Sequence, residues 1–146
     1  MIEITVAAEP IDVPAALERL EALGGGAVAS FTGLVRGDDG LTELLLEHHP
    51  TMTAASLERI AGEAAARWSL AGLIVFHRVG PMAPGERIVF VGAAARHRAA
   101  ALEACAFTID WLKTAAPFWK RERLADGETR WVEARVADEV ATARWR

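Results

Sequence analysis

Apolar residues in this chain come in short runs that switch between alternating and helical spacing, and none approaches the roughly 18 residues a membrane span needs. Ile2–Ala7 reads as a strand. Asp12 can cap a helix with Pro14 in its first turn, carrying Leu17, Leu20 and Leu23 and stopping at Gly24-Gly25-Gly26. Ala27–Arg36 and Leu41–His48 read as strands, and the Gly37-Asp38-Asp39-Gly40 turn between them makes an antiparallel hairpin the expected pairing. Thr51 or Thr53 is expected to cap a second helix bearing Leu57, Ile60, Ala64 and Trp68. Strands follow at Gly72–Val79 and Arg87–Ala95, joined by a rigid connection over residues 80–85. A long helix over Arg98–Thr114 is ended by Pro117, and a last strand near Arg130–Val136 precedes a short helical tail. With no repeat and no linker, this interleaving fits one α+β domain over residues 1–146, a mixed sheet with helices packed on it.

Charge is distributed unevenly along this order. Residues 1–95 hold 6 Lys/Arg against 12 Asp/Glu, whereas residues 96–135 hold 8 against 6. A local positive patch on an acidic body suits a small anion and lacks the broad basic face a nucleic acid needs. The N-terminus begins like a strand, without the basic-then-apolar pattern of a signal peptide, and one cysteine excludes an internal disulfide. The cytoplasm is therefore the expected compartment, with no membrane partner.

The patch centres on Trp111–Arg123, where four of thirteen residues are cationic and two large aromatics, Phe118 and Trp119, lie between Lys113 and Lys120. Lysine against apolar surface loses water, and its pKa falls, making it a candidate nucleophile or proton carrier. A solvated lysine at a helix C-terminus, favoured by the dipole, fits Lys113 equally well. On the long helix, Leu102, Cys105, Ala106, Ile109 and Leu112 form the expected buried stripe, with Lys113 at its edge. The same helix starts with Arg96-His97-Arg98 at the positive end of its dipole, an unfavourable placement that a bound anion or a nearby carboxylate would offset.

Other chemistries find little support. His48 and His49 are neighbours on a strand and face opposite sides, and His77 and His97 share no ligand spacing, so no metal site is expected. Ser30, Ser56 and Ser69 lack the glycine-flanked elbow of a hydrolase nucleophile. Cys105 falls in the apolar stripe as a small core residue, so any sulfur used in a reaction must arrive on something else.

Seven motifs in order resemble one family. They are Phe31-Thr32-Gly33-Leu34-Val35-Arg36, Leu46-Glu47-His48-His49-Pro50-Thr51-Met52, His77-Arg78-Val79-Gly80, Gly85-Glu86, His97-Arg98, Asp110–Glu122 and Arg130–Arg135. Together they resemble the large, catalytic subunit of molybdopterin synthase across nearly the whole chain. Leu34 stands where that family often has a basic residue, Trp111 where it often has Tyr, and the turn at residues 37–40 is short and acidic.

The resemblance implies an α/β hammerhead fold and a sulfurtransferase of molybdenum cofactor biosynthesis that converts cyclic pyranopterin monophosphate into molybdopterin. It implies no cofactor of its own. The two sulfurs come from the C-terminal Gly-Gly thiocarboxylate of a small ubiquitin-like subunit, within a heterotetramer built on a homodimer of large subunits. This sequence closes on Arg144-Trp145-Arg146 and so is expected to be the acceptor, not the carrier. Carried over by position, the reactive lysine falls on Lys113 and the second pocket lysine on Lys120. The anion-binding residues fall on Arg36, His97, Arg98 and Arg135. Part of each pocket is expected to come from the neighbouring subunit.

Overall fold

Strand β6 (Arg87–Ala95) is the centre of the molecule, because both of its faces are covered. Val89, Val91 and Ala93 face one cluster, and Phe90 and Ala94 face another, as a period-two backbone requires. In the computed structural model, which describes residues 1–38, 40–132 and 136–146 (for Val136 the backbone only), β6 pairs antiparallel with β4 (Gly72–Arg78) and with β2 (Ala27–Leu34). β1 (Ile2–Ala7) lies parallel to β4, giving the mixed order β1-β4-β6-β2.

Helices α2 (Pro50–Trp68) and α3 (Arg98–Ala115) cover one face, burying Leu57, Ile60, Ala61, Ala64 and Phe107 against Leu73, Val75 and Val91. Helix α1 (Val13–Glu21) covers the other, and its Leu20 is wholly buried. It packs so close that a Cβ at Gly92 would meet Leu20 Cδ1 at 2.5 Å, which is why that strand position carries no side chain. Asp12 caps α1 as expected, its carboxylate accepting from the Ala15 N–H at 3.1 Å.

A second sheet has the antiparallel order β5-β3-β7-β8, formed by β5 (Gly80–Met82), β3 (Leu41–His48), β7 (Phe118–Leu124) and β8 (Thr129–Trp131). α4 (Val136–Ala143) closes the chain order. The α+β architecture expected from the sequence is present. Among the described residues no helix is long and apolar enough to cross a membrane.

Four local expectations are corrected. β2 and β3 do not form a hairpin; they belong to different sheets. The chain leaves β2 at Val35, which exchanges backbone hydrogen bonds with Glu86 and Gly85, so residues 35–37 are tied to the loop before β6. Alternation marks a strand but not its partner. Strand β7, absent from the sequence reading, takes the place beside β3; its charged residues hide its pattern and are matched across the sheet by Glu43, 3.9 Å from Arg123. The cap of α2 is His49, whose Nδ1 accepts from the Met52 N–H, because Pro50 fits the first helical position. Thr53 is buried instead and bonds to His48 Nδ1.

The buried face of α3 is also rotated from the expected stripe. Ala101, Ala104, Cys105, Phe107, Thr108 and Leu112 are buried, whereas Leu102 is 59% exposed. Small residues let the helix approach the sheet, and Phe107 supplies the bulk.

Candidate active site

Lys113 and Lys120 are the only lysines in the 146 residues, and the fold brings both to one place. Lys113 occupies the last turn of α3. Ala116 then turns extended (φ −81, ψ 132), as the residue before Pro117 prefers, and redirects the chain into β7. Lys120 is the third residue of β7, opposite Leu46 of β3.

The two side chains stand between two hollows. The narrower, about 60 Å³, is walled by Val89, Ile109 and Leu112 and floored by His77 and Phe118. The wider, about 150 Å³, is open to Arg36, Glu122 and Val132. Lys113 is exposed, and Lys120 is the more enclosed of the pair. Burial pushes the Lys120 amine down to about 8; Lys113 and Arg36 act in the same direction, and Asp138 at the start of α4 opposes them. The two lysines are close enough that the positive charge of Lys113 helps to lower the pKa of Lys120.

Arg36 is placed by a brace. The Arg78 guanidinium, only 8% exposed, donates to the Ala8 carbonyl at 2.8 and 3.1 Å and to Glu86 at 3.1 Å. Glu86 in turn accepts from the Ala83 N–H, and that contact together with Arg78 holds its carboxyl below the usual carboxylate range. The loop so fixed bonds to Val35 on both of its backbone groups, and Arg36 follows directly.

His77, which the sequence offers within the His77-Arg78-Val79-Gly80 motif and as a rejected metal ligand, was not among the expected site residues. It lies in the central strand β4 with its ring stacked on Phe118, centroids 3.9 Å apart and 18° from parallel. Its Nδ1–H donates to the Arg78 carbonyl at 2.9 Å. Burial drives its pKa down to about 3 despite that bond, with Lys113, Lys120 and His48 adding to the fall, so the imidazole is neutral at any physiological pH. The available signal was a lone histidine at the end of a fully apolar strand.

His97 and Arg98 are not gathered here within one chain. His97 and Arg98 are exposed at the other end of α3, and His97 caps the helix without a side-chain bond. Fifteen residues separate Arg98 from Lys113, about 22 Å along a helix axis. Arg135 lies outside the described residues. Cys105 is buried as expected, and burial pushes its thiol up to about 11, far from the reactive thiolate form.

Two lysines between a narrow and an open hollow, with an arginine lining the open one, make an arrangement able to hold an anion. Residues 6–115 match the family described as MoaE protein. The chain is 47% identical over 99% of its length to a molybdopterin synthase catalytic subunit of Brucella melitensis, covering 91% of that protein. It is 52% identical to the one from Pseudomonas aeruginosa, over 84% of this chain and 83% of that one. Among solved structures, a molybdopterin biosynthesis MoaE protein from Burkholderia ambifaria superposes with a TM-score of 0.85 at 44% identity, covering 99% of this chain and 98% of that one. The chain belongs to the MoaE family.

Proposed function

We propose that this chain is the catalytic subunit of a molybdopterin synthase, a cytoplasmic sulfurtransferase that converts cyclic pyranopterin monophosphate into molybdopterin. Its two sulfurs come from the C-terminal thiocarboxylate of a small ubiquitin-like protein ending in Gly-Gly. The observation that carries the reading is the convergence of both lysines of the chain on the wall between the two hollows, with Arg36 lining the wider one. A negative thiocarboxylate approaching a phosphate-bearing substrate needs cations in a partly desolvated pocket. The narrow hollow suits a tail without side chains, and the open one suits a pterin phosphate. Lys113 acts at the acyl–sulfur junction, stabilising oxyanion charge and moving the proton as the carrier's acyl group is released. Arg36 neutralises the phosphate by bidentate contact, and Lys120 holds the pterin with an amine that can take up a proton during transfer.

His97 and Arg98 enter the same pocket from a second copy of the chain, since about 22 Å of helix keeps them from Lys113 in their own. Arg135 is assigned to the same anion site by its position in the family pattern. A mixed dimer tests the arrangement. Lys113→Ala and Arg98→Ala, each inactive alone, are expected to restore about a quarter of wild-type activity when combined as equal subunits, because half of the pairs are mixed and each has one intact pocket. Absence of any recovery in a verified mixed dimer would remove the second copy from the site.

The pH dependence follows from Lys120 and its surroundings: Lys113 on α3, Arg36 after β2, Asp138 on α4, and Glu122 and His77 around the two hollows. A neutral amine becomes available as pH rises through about 8, so single-turnover sulfur transfer is expected to rise between pH 7 and 9 and then level off. A rate independent of pH over that range would show that the amine takes no part. Stability has a matching sign. The folded pKa lies below the unfolded one, so the unfolded chain binds more protons between about 8 and 10.5, and this group favours folding increasingly as pH rises through that window.

The deciding experiment mixes the purified chain, a thiocarboxylated Gly-Gly carrier and cyclic pyranopterin monophosphate, and follows dithiolene product by mass. Product that depends on all three supports the reading. Turnover without the carrier, or none with it, overturns it.

A further inference from the structure

Two of the sequence motifs, His77-Arg78-Val79-Gly80 and Gly85-Glu86, supply a charged pair that the mechanism above leaves unused. Among the described residues, three short connections lead directly from one sheet to the other. Residues 35–40 carry β2 into β3, Val79 carries β4 into β5, and residues 83–86 carry β5 into β6. All three are tied to Arg78. Val79 follows it in the chain and donates its N–H to the Ala7 carbonyl at 3.0 Å. The guanidinium fork donates twice to the Ala8 carbonyl, at the end of β1, and once to Glu86 in the third connection. The Glu86 carbonyl accepts from the Val35 N–H at 2.9 Å, and the Val35 carbonyl accepts from the Gly85 N–H at 2.8 Å. Gly80 and Gly85 turn the chain at φ +87 and +88, which a side chain would oppose. The first connection also packs on the third: a Cβ at Gly37 would lie 3.2 Å from the Pro84 Cβ.

We propose that Arg78 and Glu86 clamp the junction of the two sheets and thereby act as positioning residues for Arg36. Neither lines the two hollows. They act through Val35, whose two backbone bonds to the clamped loop leave Arg36 one residue from a fixed point. An arginine that is to grip an anion with both nitrogens loses less freedom when its backbone is already held. The guanidinium suits this task, since one planar group reaches a carbonyl and a carboxylate together, which an ammonium does less well. Lys113 and Lys120 are joined by a separate connection through Ala116, so the clamp governs Arg36 and spares the lysines.

The clamp can be tested without turnover; only its effect on substrate rests on the synthase reading. A pair serving general stability would loosen every ladder together when broken, whereas a clamp loosens one junction. In wild type, the Val35 and Gly85 amides should exchange with deuterium as slowly as the amides bonded between β4 and β6. The Glu86 side chain is 43% exposed, so its truncation leaves no core cavity. Glu86→Ala should speed exchange at those two amides by about tenfold or more and leave the β4–β6 ladder within about twofold. Arg78→Lys keeps the charge and loses the fork, and should do the same. Fast exchange at both amides in wild type would overturn the clamp with no variant needed. Unchanged protection in the variants, or an equal loss over the whole β4–β6 ladder, would overturn it too.

Kinetics then tie the clamp to Arg36. With saturating carrier, Glu86→Ala should raise the KM for cyclic pyranopterin monophosphate about tenfold and keep kcat within about threefold. In Arg36→Ala protein the same change should add less than about twofold, because its target is already gone. A full effect in both backgrounds would overturn the link to Arg36. A wild-type chain without turnover would count against the synthase reading alone, and the exchange result would still decide the clamp.

Discussion

Lys113→Ala is expected to slow dithiolene formation by about 10²–10⁴-fold, the range that a positioned proton-transfer group supplies. The fold should hardly respond. Lys113 is exposed at the end of α3, alanine is a good helix former, and the lost dipole interaction is only about 0.3–1 kcal/mol. Charge and proton transfer can be told apart with Lys113→Arg. Arginine keeps the cation but never offers a neutral amine, so it should fail to restore the rate. Single-turnover product formation alongside a thermal melt makes the comparison. Activity within about threefold of wild type in Lys113→Ala would dismiss the residue from the chemistry.

Phe107→Ala should be the most damaging single change to the fold, at about 3–5 kcal/mol. The side chain is fully buried, with Trp68 and Trp145 edge-on at 5.2 and 5.6 Å and Trp111 at 6.3 Å. Domains of this kind hold only about 5–15 kcal/mol in total. The loss should also reach the site. Trp145 anchors the end of the chain to α3, its indole N–H donating to Asp110 at 2.7 Å, and α4 before it brings Asp138 toward Lys120. Loosening that anchor should lower sulfur transfer even at temperatures where the variant is folded. Denaturant unfolding checks the first effect, and a loss below about 1 kcal/mol would mean that the indoles close the gap.

Much of the fold was legible in residue patterns. The bounds of β1, β3 and β6 and the capped start of α1 follow from spacing and from Asp12-Val13-Pro14. Pairing was less legible. The Gly37–Gly40 turn suggested that β2 and β3 meet, but Val35 bonds to Gly85 and Glu86 and directs them into separate sheets. β7 escaped notice because Lys120, Arg121, Glu122 and Arg123 look like a solvated run until β3 and β8 stand on either side of it.

At the site, chemistry was visible earlier than geometry. The two lysines and Arg36 could be named from motifs, yet the sequence pointed to Lys113 as the desolvated residue and the structure encloses Lys120 more. His77 stood in a motif, but nothing in its spacing placed it beside the lysines. A pKa depends on what surrounds a group in space, and those neighbours come from α3, β4, β7 and α4.

By itself, the sequence determined the types of most elements, the α+β class, the absence of a nucleophilic thiol and the identity of the cations, because each depends on local spacing or on a side chain's own chemistry. Tertiary structure alone decided which strands pair, which lysine loses its water, the tautomer of His77 and the separation of His97 and Arg98 from Lys113. Those depend on distances between residues far apart along the chain, and packing, not local pattern, sets such distances.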